Sequence, residues 1–469
     1  MVATQKKKKL ADGNKPARSN NDLEASGERR LGFPKDFVWG VSTSAYQIEG
    51  AASDDGKGPS IWDTHCLQKG RVANGDTGDV ACDHYHRWPD DVRLMTDIGV
   101  SAYRFSVSWP RVLPRGRGQT NEKGLDFYDR LIDRLLATGI EPWLCLYHWD
   151  LPKGLDELGG WLNRDIAGWF ADYATLIARR YGDRVKRLAT FNEPSVFTLF
   201  GYGFGWNAPA VADRTAHLVS IHHVNLAHGT AIDVLRTMVP GAKLGIIHNR
   251  QPCHPENGLE ANKEAALLLD EHWNKAFPDP QLLGHYSPRL AVAIEPFVRS
   301  GDMARICRPI DWFGLNHYSP IYARADAAAP IGYAWGDAPV EAPRSGIGWP
   351  IYPEAFRDEL MNVASTYKMP IYVTENGCGG SDMPDSASKV HDHERVDYLR
   401  AYTSAMKQAM DEGTDVRGYF VWSLLDNFEW GSGYGNRFGL VWVDFATQTR
   451  IPKDSAAWYA GLIHRERGR

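Results

Sequence analysis

No CxxC pair occurs in the sequence; Cys66, Cys82, Cys145, Cys253, Cys307 and Cys378 are scattered along it. That spacing argues against a zinc ribbon or a disulfide scaffold and fits a reducing compartment, so a cytoplasmic location is expected. There is no uninterrupted apolar run of about 18 residues, and no membrane-spanning helix is expected. The net charge of -5 provides no cationic face for nucleic acid. No HExxH helix pattern is present. His84 and His86 in "DHYHRWPDD" are therefore read as loop or helix-start residues, and His222, His223 and His228 as helix residues. Neither G-x-G-x-x-G after a strand nor GxxxxGK[ST] is found, which leaves a dinucleotide fold and a P-loop unsupported. No metal and no organic cofactor is implied.

Aromatic residues, by contrast, are plentiful: Trp 17, Tyr 20 and Phe 17 in 469 residues. Such rings pack cores, and they also stack on the flat apolar faces of ligands. The first thirty residues are of another kind. "QKKKKLADGNKPARSNNDLEASGERR" is charged and almost free of large apolar side chains, so residues 1–30 are expected to form a disordered, solvated extension. No apolar stretch follows Lys6 to Lys9, and a secretory signal is not expected.

From residue 31 onward the composition does not break, and 31–469 is read as one domain. Short apolar runs recur: "FVWGVSTSAYQ", "SAYRFSVSW", "IEPWLCLYHW", "VKRLATFNE", "AKLGIIHN", "IDWFGLNHY", "PIYVTEN" and "VRGYFVWSLLDN". Helical patterns lie between several of them. In "LDFYDRLIDRLLATG", Leu125, Tyr128, Leu131, Ile132 and Leu135 follow the 3–4 spacing of one helix face, and Gly139 suits its end. Alternating strands and helices imply a parallel sheet, and eight units imply an α/β fold, a single (β/α)8 TIM barrel with long βα-loop insertions.

Chemistry in such barrels sits at the C-terminal strand ends. Those ends read Gln47, Arg104, His148, Asn192 with Glu193, Asn249, Asn316, Glu375 and Trp422. One polar residue after a strand is usually a turn former or a cap; eight around one ring are harder to assign that way. Two carboxylates among amides, a histidine, an arginine and tryptophans suit a sugar. Hydroxyls need paired donors and acceptors, and pyranose C–H faces stack on indole. Glycosidic cleavage needs one carboxyl to protonate the leaving oxygen and a second to attack or to activate water. Carboxyls about 5–5.5 Å apart give retention and about 6.5–9.5 Å inversion, a distance that sequence does not supply.

These residues bring a family into view. "FPKDFVWGVSTSAYQIEG", "YRFSVSWPRVLP", "LYHWDLP", "TFNEP", "LNHYSP", "VTENG", "WSLLDNFEW" and "RFGLVWVD" occur in order between about Phe33 and Tyr459. The chain thereby resembles glycoside hydrolase family 1, and within it the bacterial β-glucosidases. The resemblance implies a retaining mechanism with Glu193 as acid/base and Glu375 as nucleophile. It further implies that Gln47, His148, Trp149, Asn192, Glu429 and Trp430 hold the first sugar, with Trp422 as the platform beneath it. Arg104, Asn316 and Tyr318 are expected to orient the nucleophile. Phe438 is expected in the pocket wall and Trp349 on the leaving-group side.

"NFEW" retains Glu429, whereas relatives acting on 6-phospho-sugars lack that acid and carry a Lys-Tyr pair nearby; here Tyr434 stands without the lysine. An anionic phosphate would be repelled by Glu429. The plant thioglucosidases have a glutamine in place of Glu193, so ordinary O-glycosides are the expected substrates. The resemblance thus implies an exo-acting β-glucosidase for cellobiose, short oligosaccharides and aryl glycosides, with β-galactosidase and β-fucosidase side activity. A transglycosidase of the same family and a non-catalytic sugar-binding protein remain alternatives. The implied partner is a small-molecule β-glucoside, with no nucleic acid and no membrane. Under period-2 alternation, His317 is expected to point away from the side shared by Asn316 and Tyr318.

Overall fold

Eight short strands alternate with helices along the chain. A computed structural model describes residues 30–468; the expectation for the N-terminal extension lies, apart from Arg30, outside the described residues. The strands are β1 (Val38–Ser42), β2 (Ala102–Ser106), β3 (Glu141–Tyr147), β4 (Arg187–Asn192), β5 (Lys243–Asn249), β6 (Trp312–Asn316), β7 (Ile371–Asn376) and β8 (Val416–Trp422). Each pairs in parallel with the next, and β8 returns to β1, closing the barrel. The main outer helices are α1 (His84–Ile98), α2 (Glu122–Ala137), α3 (Ile166–Tyr181), α4 (Arg214–Met238), α5 (Glu260–Asp270), α6 (Pro353–Tyr367), α7 (His393–Asp411) and α8 (Asp454–Arg467). His84 and His86 thus lie in the first turn of α1, and His222, His223 and His228 lie on α4, as their surroundings in the sequence imply.

The helices form where apolar residues repeat at helical spacing. On α2 the predicted face of Leu125, Tyr128, Leu131, Ile132 and Leu135 is buried, and Gly139, at φ 78°, follows the last turn in the left-handed conformation. The first described residues are tied to the last helix. Glu466 on α8 accepts the backbone N–H groups of Leu31 at 2.7 Å and of Gly32 and Phe33 at 3.0 Å.

The lower barrel interior is filled by Trp143, Trp312, Tyr372 and Phe420, together with Ala102, Cys145, Ala189 and Ile247. Trp143 lies 5.2 Å from Trp312, 4.8 Å from Tyr372 and 5.1 Å from Phe420, ring centre to ring centre. Neighbouring strands make room for these rings with glycine. A Cβ on Gly245 would stand 2.4 Å from the Trp312 indole, and one on Gly40 2.3 Å from Phe420. Packing of that density leaves no channel through the barrel. The long insertions follow β1, β4, β5, β6 and β8 and rise above the opposite, C-terminal face. Two of them join in a three-stranded sheet, with Cys253–Pro255 from the segment after β5 and Ile321–Ala325 and Tyr333–Trp335 from the segment after β6.

Two strand-end expectations need correcting. Gln47 lies beyond its strand, on a one-turn helix, Ala45–Ile48. Arg104 is the third of the five residues of β2 and points inward by strand alternation, directly above Ala102. A long side chain there spans the distance that a terminal residue would otherwise cover.

Candidate active site

Glu193 and Glu375 reach the barrel axis through irregular strand ends. On β4, Ala189 faces the barrel core while Phe191 packs outward against Phe170, Trp161 and Tyr147. Asn192 then turns back inward, and the pairing with β5 shifts register between Ala189 and Asn192. On β7, Thr374 donates to Asn316 Oδ1 at 2.7 Å, and the next residue, Glu375, also faces the axis. The pairing with β6 shifts between Val373 and Glu375. Two consecutive inward side chains are incompatible with a regular strand; an irregularity re-aims one of them. Glu193 itself has φ 48°, and Trp149 and Trp430 have φ 79° and 51°. Left-handed conformations of non-glycine residues cost about 1–3 kcal/mol each and persist where the surroundings over-determine them.

Hydrogen bonding around the two carboxylates runs in a fixed direction. The buried Arg104 guanidinium has only donors; it pairs with Glu375 Oε1 and donates to Asn192 Oδ1. Asn192 must therefore present its NH₂ to His148 Nε2, 3.1 Å away. His148 Nε2 is then the acceptor, so the neutral ring carries its proton on Nδ1, which has no protein partner among the described residues. Asn316 donates to Asn192 Oδ1 at 3.1 Å and to Glu193 Oε1 at 2.8 Å. Asn249 donates to the same Glu193 oxygen at 2.8 Å. With two donors on Oε1, a proton on Glu193 belongs on Oε2. Tyr318 O–H donates to Glu375 Oε2 at 2.6 Å, and Trp149 Nε1–H holds the Asn192 carbonyl at 2.9 Å.

The two glutamates are electrostatically unequal. Burial and the nearby Glu375 charge push Glu193 up to about 8, against the pull of the Asn316 and Asn249 hydrogen bonds. Burial also raises Glu375 above the ordinary carboxylate range, while Arg104, Tyr318 and Asn316 pull it back. Arg104 and the tyrosine act in the expected direction, but desolvation outweighs them. Burial and Arg104 hold His148 well below its usual range and keep the ring neutral. Glu429, reached by Trp422 Nε1–H at 3.3 Å, is pushed up to about 8 by desolvation and by Glu375, although its side chain still touches the open cavity.

A cavity of about 630 Å³ opens over this cluster. Gln47, His148, Trp149, Glu193, Tyr318, Trp349, Glu375, Trp422, Glu429, Trp430 and Phe438 all line it. Arg104, Asn192 and Asn316 are fully buried behind that lining and act through the groups they hold. Trp349 stands at the mouth, 42% exposed and 5.6 Å from Tyr318. The Gln47 amide is engaged with Ser44, Asn427 and the Phe428 carbonyl. Asn316, expected to serve the nucleophile, makes its 2.8 Å bond to Glu193 and bears on both carboxylates. His317 faces outward, bonded to the Arg250 carbonyl and packed on Phe356. His228 bonds Thr190 and does not line the cavity. Tyr434 donates to the Thr77 carbonyl at 2.7 Å and is likewise absent from the lining.

Sequence reading missed a second wall. Phe200, Trp206, Trp273 and Trp335 form an aromatic cluster across the mouth, with ring centres 5.2–6.2 Å apart. They lie on insertions, and no motif marks them. Asn249 appears among the strand ends, yet its bond to Glu193 is visible only in three dimensions.

A family model described as "Glycosyl hydrolase family 1" matches residues 29–468. A β-glucosidase A of Thermotoga maritima is 44% identical over 437 residues, 92% of this chain and 97% of that protein. A bifunctional β-D-glucosidase/β-D-fucosidase of Bifidobacterium breve is 43% identical over 458 residues, 92% of this chain and 98% of its own. The solved family 1 β-glucosidase of Thermotoga maritima superposes with a TM-score of 0.88 at 42% identity, over 93% of this chain and 99% of that one. The same enzyme has been solved in complex with glucoimidazole and with deoxynojirimycin.

Proposed function

The chain belongs to glycosyl hydrolase family 1, and on that premise we propose that it is a retaining β-glucosidase releasing terminal non-reducing β-D-glucosyl units from cellobiose, short oligosaccharides and aryl glycosides. The observation that carries the reading is the unequal pair of buried carboxyls at one cavity: Glu193 on two amide donors and Glu375 on Arg104 and Tyr318.

In the first step, ionised Glu375 attacks the anomeric carbon while Glu193 gives its Oε2 proton to the leaving oxygen. A glycosyl–Glu375 ester forms and the alcohol departs. In the second step Glu193, now a carboxylate, takes a proton from water. The water oxygen attacks the anomeric carbon, Glu375 leaves as a carboxylate, and β-glucose is released. Arg104 and Tyr318 stabilise Glu375 in its ionised states. Gln47, Glu429 and the His148 ring line the space for the sugar hydroxyls, with Asn192 holding the His148 ring from behind; Trp422 lies beneath the sugar ring, and Trp149 and Trp430 complete the first subsite. Phe438 and Trp349 border the leaving-group side, and the Phe200–Trp335 cluster faces them. A cavity with indoles on two sides suits aryl groups and sugar faces alike.

Activity on β-galactosides and β-fucosides follows if recognition rests on these few hydroxyl contacts. We place the enzyme in a reducing compartment, the cytoplasm, because its six cysteines are all unpaired. Among the described residues no helix is long and apolar enough to cross a membrane.

The test is a matched assay on aryl β-glucoside, β-galactoside and 6-phospho-β-glucoside, with NMR following the anomer first released. Fast turnover of the plain glucoside with β-glucose first is expected. Preference for the phosphorylated sugar would remove the role given to Glu429, and α-glucose first would remove the retaining mechanism.

A further inference from the structure

We propose that His391, His393 and Asp454 form a surface site for a divalent transition-metal ion of the Zn²⁺ type, where the loop after β7 meets α8. One nitrogen of each imidazole and one carboxylate oxygen of Asp454 lie within 4.8 Å of one another. His391 Nδ1 is 2.7 Å from Asp454 Oδ2, and His393 Nδ1 is 4.0 Å from the same oxygen. The two imidazoles are nearly parallel, with centres 5.9 Å apart. His393, its side chain 74% exposed, is free to close the remaining distance by rotation.

Three features make this more than a chance surface ion pair. The first is the backbone. Val390 bridges to Lys453, and Asp454 N–H bonds the Val390 carbonyl at 3.1 Å. Between the two histidines, Asp392 is buried and holds Ser455 N–H at 2.8 Å and its hydroxyl at 2.5 Å. The stretch bearing both imidazoles is therefore pinned to the stretch bearing the carboxylate before any ligand arrives. The second is the outer carboxylate. Asp385 Oδ1 is fixed by the Ala387 and Lys389 amides at 2.8 and 2.9 Å, and its Oδ2 lies 3.4 Å from His391 Nε2. In the metal-free site His391 Nδ1–H donates to Asp454 Oδ2; a metal ion would take the place of that proton, with Asp385 at Nε2 as the carboxylate behind a ligating histidine. The third is donor chemistry. Two imidazoles and one carboxylate suit Zn²⁺, Ni²⁺ or Cu²⁺, whereas Ca²⁺ and Mg²⁺ select oxygen sets. Water completes the coordination at such an exposed position.

The ion would act as a clip between the seventh and eighth barrel units, and the proposed glycosidic chemistry needs none of it. The test is isothermal titration of the tag-free full chain with Zn²⁺, and separately with Ca²⁺, alongside thermal unfolding. One Zn²⁺ per chain is expected, with no matching Ca²⁺ event and a Tm rise of roughly 3 °C at saturating Zn²⁺. The His391→Ala/His393→Ala double variant should lose both effects, and Asp385→Asn should weaken binding roughly tenfold or more. His86→Ala, which alters another exposed histidine–aspartate pair, should leave binding intact. Absence of one-to-one Zn²⁺ binding would overturn the proposal, as would a double variant that binds as well as the parent.

Discussion

The two halves of the barrel interior are built on opposite principles. In the lower half Trp143, Trp312, Tyr372 and Phe420 fill space that neighbouring glycines vacate. In the upper half Arg104, Asn192, Asn316 and Glu375 take inward positions two to four residues further along the strands that carry Ala102, Ala189, Trp312 and Tyr372. The lower half gains stability from apolar burial and close contact. The upper half holds carboxyl groups that burial lifts above their ordinary range. A barrel packed tightly at one end can carry an unfavourable but reactive cluster at the other, and stability and chemistry then occupy separate layers of one interior.

Substitutions at the two ends should separate those properties. The largest effect is expected for Glu375→Gln: turnover falls about 10⁴-fold or more, with little change in melting temperature. A comparable loss of stability would show that the polar layer also supports the fold. Glu193→Gln should cost about 10³-fold on substrates with poor leaving groups and far less on activated aryl glucosides. Equal losses on both would remove Glu193 from the role of acid.

At the lower end, Gly245→Ala drives a methyl group into the Trp312 indole and should destabilise by about 1–3 kcal/mol in denaturant unfolding, while kcat per folded molecule is kept. Lost turnover without lost stability would join the two layers. The smallest effect concerns pH. Turnover should fall as pH rises through about 8, because Glu193 then loses its proton, and fall at low pH as Glu375 gains one. Asn249→Ala removes a bond that favours the ionised form of Glu193, so the alkaline arm should move upward, by up to about one pH unit. A downward shift would contradict the hydrogen-bond assignment.

Much of this was legible beforehand, because strand period, helix period and motif order are local properties. The alternation that directs His317 outward and Asn316 and Tyr318 inward holds on β6. It fails on β4 and β7, where a register shift turns Asn192 and Glu375 to the axis. No residue type in "TFNEP" or "VTENG" announces such a shift. Phe200, Trp206, Trp273 and Trp335 were equally hidden, since an aromatic residue on an insertion reads as packing until its neighbours are known.

The order of the eight units and the polar character of the strand ends were determined by the sequence itself, through the periodicity of its side chains, and the motifs "TFNEP" and "VTENG" singled out Glu193 and Glu375 as candidates. Which oxygen of Glu193 is left for the proton, which nitrogen of His148 donates, and how far each carboxyl departs from its ordinary pKa were decided only by the tertiary structure. The reason is physical: a guanidinium with donors alone imposes direction on every amide it reaches, and desolvation acts on a carboxyl only once the barrel has closed around it.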